Sequence, residues 1–315
     1  MASNWIFWLI FNLFIAAMLA LDLGVVNRRR HELKEREAVG WTVLWVGLAA
    51  VFAVLVLWFG QAMVGGSTRS NSQLSLEFIA GYVIEQSLSV DNLFIFLLIF
   101  RYFNVPRELQ HGVLFWGVIG ALIMRAIFIF TGVALLNRFA WITYIFGAIL
   151  VYSGIRLFRQ HGAQIHPDSN PLLRGFRKLF PVTNDYRGGR FFVRQGADTV
   201  ATPLALVLIL LETTDLVFAV DSVPAVLAVT REPFIVFTSN AFAILGLRSL
   251  FFVLSGMIER FRFLHYGLSA ILVFVGLKMM GSHYIEMPTE IALGVVAAIL
   301  AISVGSSLLF KGTGT

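Results

Sequence analysis

Leu211–Thr230 reads LETTDLVFAVDSVPAVLAVT. The stretch is apolar enough to cross a bilayer, yet it carries Glu212, Asp215 and Asp221. A carboxylate at mid-bilayer costs roughly 2.5–3.5 kcal/mol on insertion scales, so three in one span require a protected cavity and partners. Pro224 has no N–H, and its ring disturbs the carbonyl four residues back, that of Val220. The stretch therefore predicts a helix kinked or broken beside its acids, with freed carbonyls joining the carboxylates. Such oxygens in a dry pocket suit a hard cation.

Composition widens this reading to the whole chain. Of 315 residues, 58% are hydrophobic and 13% charged, and mean hydropathy is +0.82. These values define an all-α polytopic membrane protein. The net charge of +6 does not point to nucleic acid, because most Lys and Arg sit in connecting loops. The absence of cysteine excludes disulfide, thiolate–metal and CxxC chemistry. The six histidines fall in loops or near span ends, which leaves oxygen ligands for any metal inside the membrane. The aromatic residues, 14% of the chain, read as mostly lipid-facing or interfacial.

Nine segments are long enough to span, at about 5–26, 41–61, 76–100, 112–135, 140–158, 202–229, 234–256, 264–280 and 290–310. They form a single transmembrane domain over 1–315. The first has no basic leader before it and is expected to be a retained span. With the N-terminus outside and the C-terminus cytoplasmic, the inside connections hold 18 of the Lys and Arg residues and the outside ones three. This is the arrangement of a multi-pass protein of the cell (inner) membrane. The cytoplasmic loop of about 159–201 is the largest connection, and its arginines are expected to hold it at the anionic leaflet surface.

The chain also repeats itself. SVDNLFIF (89–96) resembles AVDSVPAV (219–226), ALIMRAIFIFTG (121–132) resembles ILGLRSLFFVLSG (244–256), and AILVYSGIR (148–156) resembles AILVFVGLK (270–278). The matches pair Asp91 with Asp221, Glu85 with Asp215 and Arg125 with Arg248. Spans 3–5 and 6–8, about 76–158 and 202–280, then read as two copies of a three-helix unit. An odd number of spans per unit inverts the second copy, as in many secondary transporters whose site lies between the repeats.

Within the spans this reading counts six acids (Asp22, Glu85, Asp91, Glu212, Asp215 and Asp221) against Arg125, Arg248 and Lys278. The excess of negative charge calls for a cation or protons. Candidate metal ligands are Asp91, Asp221, Glu85, Asp215 and Glu212. Residues six apart on a straight helix diverge by roughly 120°, so Glu85 and Asp91 converge only if the helix bends, as do Asp215 and Asp221. Asn92, Ser222 and Asn240 are candidate supporting oxygens. Alternatives stand beside these roles. Asp91 and Asp221 could instead be structural partners of Arg125 and Arg248. Glu85 and Asp215 could form an outer shell, and Glu212 could carry protons or pair with an arginine. Asp22 could serve a helix end, and Lys278 could snorkel outward.

The motifs EQSLSVDN, ETTDLVFAVDSVPA, SNAFAILGLR and AILVFVGLKM resemble those of the TerC family of bacterial integral membrane proteins. FFVR followed by ATPLALVLILLE is similar to its Alx-type branch, and the resemblance runs from about Leu21 to Val304. The family is placed among exporters related to the lysine exporter LysE. Its members are associated with manganese efflux, with response to alkaline pH and, under an older label, with tellurium resistance. The resemblance thus implies Mn²⁺ as transported substrate and no permanently bound cofactor. Oxygen ligands alone do not separate Mn²⁺ from Ca²⁺, Mg²⁺ or Na⁺. The expected function is secondary export of a divalent cation, with protons as competitors for the same acids. The alternative is a non-transporting stress-response scaffold acting through 159–201. A membrane enzyme is disfavoured, there being no cysteine, no paired histidines within spans and no nucleotide motif.

Overall fold

The computed structural model describes residues 5–26, 35–159, 170–183, 185–195, 198–255, 264–282 and 287–309. Among them the predicted spans coincide with nine helices: α1 (Trp5–Val26), α2 (Glu35–Val64), α3 (Asn71–Tyr102), α4 (Arg107–Arg138), α5 (Ile142–Arg159), α7 (Pro203–Leu227), α8 (Pro233–Ser255), α9 (Leu264–Gly281) and α10 (Thr289–Leu309). Eight of these are long and apolar enough to cross a membrane, and α1 adds the shorter apolar run Trp5–Leu21. The protein is an all-α polytopic membrane protein. Helices α2, α3 and α4 outrun their predicted segments because their ends are polar. At the start of α3, for instance, Ser70 and Gln73 form a reciprocal capping box.

The sequence predicted a break beside Pro224, but α7 runs as one helix from Pro203 to Leu227. Pro224 falls in its last turn, where the missing N–H removes one ladder bond and little helix remains to be deflected. Helix α3 is likewise continuous through Glu85 and Asp91. The acids therefore keep the angular separation of a regular helix.

Helix α8 is the centre of the bundle. Its apolar window is 94% buried, far above that of any other span. Its sequence, PFIVFTSNAFAILGLRSLFFVLS, has no polar stripe, as expected for a helix enclosed on all sides. It packs against α2, α3 and α4, while α7 packs against α3 and α4 and α5 against α9. The aromatic residues correct the sequence reading, since many are core. Phe11, Phe78, Phe234 and Phe242 are all buried, and Trp8 meets Phe234 edge-on at 5.1 Å. Rings packed at an angle fill helix interfaces without polar demands.

The long connection is more structured than a loop. It contains α6 (Pro171–Leu179), capped by Asn170, and an antiparallel hairpin of β1 (Phe192–Gln195) and β2 (Asp198–Ala201). Leu173 of α6 enters the core formed by the end of α3 and the start of α4, with Phe100, Val105 and Val113. The Tyr186 hydroxyl donates to the Phe103 carbonyl at the α3 terminus. Partial burial raises the Tyr186 pKa, which keeps that hydroxyl a donor.

Candidate functional site: a buried acid–arginine cluster

Glu85 lies near the middle of α3 and Asp215 near the middle of α7. The structure brings them together on Arg125 of α4. One guanidinium nitrogen pairs with Glu85, and the other lies 3.2 Å from Asp215 Oδ1. Asn240 of α8 accepts from the same guanidinium at 3.5 Å and donates to the Val236 carbonyl at 2.9 Å. Exposures are 0% for Glu85, 1% for Arg125 and 3% for Asp215. Two carboxyl groups share one guanidinium, so with both ionised the trio carries a net negative charge in a largely buried setting. Glu85 Oε2 and Asp215 Oδ2 are buried without a hydrogen-bond partner. Each such oxygen is a lone-pair site awaiting a proton or a cation.

Of the alternatives the sequence left open, the structure places Glu85 and Asp215, not Asp91 or Asp221, on Arg125. Asp221 accepts from Ser153 Oγ of α5 at 2.5 Å. No hydrogen bond or ion pair joins Asp91 to the cluster. Because α3 and α7 are unbroken, the six-residue spacing spreads the acids along the membrane normal and around the helix. Among the described residues, no three His, Cys, Asp or Glu side chains gather closely enough to hold a metal. The acids thus lie at different heights along α3 and α7.

Beside the cluster is a cavity of about 20 Å³, lined by Glu212, Asp215 and Arg248 together with Gly117, Ala121 and Phe96. That volume admits about one water-sized particle. Glu212 reaches it because α4 has no side chain at Gly120, where a Cβ would meet the Glu212 carboxylate. Asn92 Nδ2 and Ser222 Oγ, at repeat-equivalent positions, are buried without hydrogen-bond partners, as is Ser89 Oγ. The Asp22 side chain lies outside the described residues.

Two features escaped the sequence reading. Glu77 is a further intramembrane acid, omitted from the count although it falls within the 76–100 segment. It is 4% exposed and ion-paired to Arg69, which also donates to Thr230 Oγ1 at 3.2 Å. Ser67 donates to Glu232 at 2.8 Å. Together these contacts tie the α2–α3 connection to the α7–α8 connection. Lys278 lines a second small cavity with Ile84 and Thr289, within electrostatic reach of Glu77. The other omission is Ser153, which no acid-counting pattern would select.

A multi-helix membrane protein with acids and arginines buried between its helices belongs to the class whose charged interior serves function, since charge so placed is costly. The particular family follows from comparison. Residues 70–313 match the Integral membrane protein TerC family, and the chain belongs to it. It is 48% identical over 302 residues to STKORF319, an uncharacterized membrane protein of Myxococcus xanthus, covering 96% of this chain and 92% of that one. It is 44% identical over 297 residues to Alx of Escherichia coli (strain K12), named as a candidate membrane-bound redox modulator, covering 94% and 92%. A membrane protein of Rickettsia bellii is 36% identical over 304 residues, covering 96% and 97%. No solved structure matches.

Proposed function

We propose that this chain is a secondary transporter that exports a divalent metal cation, Mn²⁺ foremost, from the cytoplasm, with protons competing for the same acids. The observation that carries this reading is the Glu85–Arg125–Asp215 cluster. Its acids come from the two repeat units, and each keeps one buried oxygen without a hydrogen-bond partner. Arg125 acts as a resident cation that holds the acids while no substrate is present. An incoming ion, passing Glu212 and Asp91 in the cytoplasmic half, displaces the guanidinium and leaves by way of Asp221. An oxygen-only donor set suits Mn²⁺, Mg²⁺ and Ca²⁺; the preference for Mn²⁺ rests on the family.

Packing supports the inverted repeat that such a cycle needs. Exchanging α3–α5 with α7–α9 maps the α3–α8 contact onto the α7–α4 contact, and both are extensive. The exchange also maps the close approach of Gly147 to Gly276 onto that of Gly154 to Ser269. The distribution of Lys and Arg supports an outside N-terminus in the inner membrane. The Alx relatives are named for redox modulation. A thiol route is closed to this chain, which has no cysteine.

The test is Mn²⁺ flux in proteoliposomes, with Ca²⁺ and Mg²⁺ as competitors. Asp91→Asn and Asp221→Asn should each cut flux tenfold or more, on the order of one lost charge–ion contact, while melting temperature barely moves. Wild-type flux in both variants would sink the proposal. A second prediction concerns Gly120→Ala. The new methyl displaces the flexible Glu212 carboxylate, so stability should change by less than about 1 kcal/mol, the scale of the Gly-to-Ala helix term. Flux should fall with it, and an unchanged flux would remove Glu212 from the route.

A further inference from the structure

Helix α6 is amphipathic in a way that the protein itself does not use up. At 3.6 residues per turn, Leu172, Leu173, Phe176, Leu179 and Phe180 fall within an arc of roughly 120°, with Arg174, Arg177 and Lys178 on the opposite side. The protein covers one edge of the apolar arc: Leu173 is 1% exposed, and Phe176 packs on Phe180 at 5.1 Å. The other edge is left open, with Leu172 at 56% and Leu179 at 76%. Phe192 of β1, 46% exposed, extends the open edge through its contact with Phe180 at 5.9 Å. Lys178, Arg190 and Arg194 are exposed around this patch.

The patch is fastened where the membrane-spanning helices α3 and α7 end and begin. Tyr186 and Leu173 fasten the unit to the end of α3, and Thr202 Oγ1 donates to the Arg190 carbonyl at 2.7 Å one residue before α7 begins. Apolar side chains beside cations, held where transmembrane helices end, match the anionic headgroup and acyl boundary of a membrane.

We propose that α6 and the β1–β2 hairpin form a binding surface for anionic phospholipid. Leu172, Leu179 and Phe192 enter the acyl boundary, and Lys178, Arg190 and Arg194 contact headgroup phosphates. The surface stands independently of the transport reading, and its occupant is a lipid leaflet and not a partner protein.

The cysteine-free chain permits a direct test on the full-length protein. A single exposed Leu179→Cys, labelled with bimane, is placed in nanodiscs of phosphatidylcholine or of phosphatidylcholine mixed with phosphatidylglycerol. Quenching by a nitroxide on the lipid tail, with protection from aqueous iodide, is expected in the mixed discs. Added Lys178→Gln, Arg190→Gln and Arg194→Gln should weaken the preference for phosphatidylglycerol by roughly fivefold per charge removed. Iodide access without lipid quenching in both lipids would overturn the proposal and leave the patch to a protein partner. Lipid quenching that ignores phosphatidylglycerol and the charge variants would overturn the headgroup contact.

Discussion

Replacing Arg125 with methionine is expected to destabilise the protein by about 3–5 kcal/mol, the cost of stranding buried charge, and to abolish cation flux. Among the described residues Arg125 is the largest fully buried side chain, and it pairs with two buried carboxylates. Removing it leaves Glu85 and Asp215 facing each other across the space the guanidinium filled. Methionine keeps much of the aliphatic volume, so the loss reports charge more than cavity. The decisive variant is the triple replacement Glu85→Gln, Arg125→Met, Asp215→Asn. With no charge left to strand, it should recover most of the lost stability, because neutral groups of similar shape often replace a buried ion pair at little cost. Flux should remain absent, since the ion-holding oxygens have lost their charge. Unfolding in mixed micelles gives the stability, and proteoliposome uptake gives the flux. An Arg125→Met protein as stable as wild type would show that the clamp does not hold the acids. A triple variant that still transports would remove these residues from the ion route.

How far the site could be read from sequence depends on which physical rule governed each residue. The spans and their number follow from uninterrupted apolar runs, and no soluble fold competes for such runs. Glu85, Asp215 and Arg125 stand out in the sequence because intramembrane charge is costly and because similar segments pair the two acids. Their partnership was not legible. The sequence allowed Asp91 and Asp221 as alternative partners of the arginines, and choosing between acids six residues apart requires knowing how α3 and α7 are rotated. That rotation is set by packing around α8, which the sequence encodes only through shape. The expectation of a broken α7 gave Pro224 its usual weight. A proline one turn from a helix end removes a single bond, and the helix stops before a kink can redirect it. Glu77 went uncounted although its segment was placed correctly, and its partner Arg69 lies in a connection that was read only for topology. Ser153 and Gly120 carry no charge, and their roles exist only through what stands opposite them.

A methyl group at Gly154 should destabilise the protein, whereas the same change at Gly294 should stabilise it. In a helix, Gly→Ala ordinarily gains about 0.8–1.0 kcal/mol. Gly294 of α10 has nothing within 4 Å of a new Cβ, so Gly294→Ala should show that gain. At Gly154 a Cβ would lie 2.8 Å from the Ser269 carbonyl oxygen and 3.0 Å from the Val273 nitrogen, both backbone atoms of α9. Backbone cannot swing aside like a side-chain tip, so α5 and α9 must part. Parting them also strains the 2.6 Å hydrogen bond from Ser269 Oγ to the Gly154 carbonyl. In a bilayer, where helices associate through close packing and not through expulsion of water, this loss has no hydrophobic compensation. Gly154→Ala should therefore cost about 1–3 kcal/mol, the usual scale of overpacking, and Gly154→Leu more. The related approach of Gly276 to the Gly147 carbonyl, 2.7 Å for a new Cβ, predicts the same for Gly276→Ala. Melting temperatures of the three alanine variants decide the matter. If Gly154→Ala and Gly276→Ala melt at or above Gly294→Ala, the two helices do not approach through these glycines. If they melt well below it, α5 and α9 are held backbone to backbone at these glycines. Under the proposed transport cycle, that contact is the pivot about which the acids carried by α3 and α7 would change the side from which they are reached.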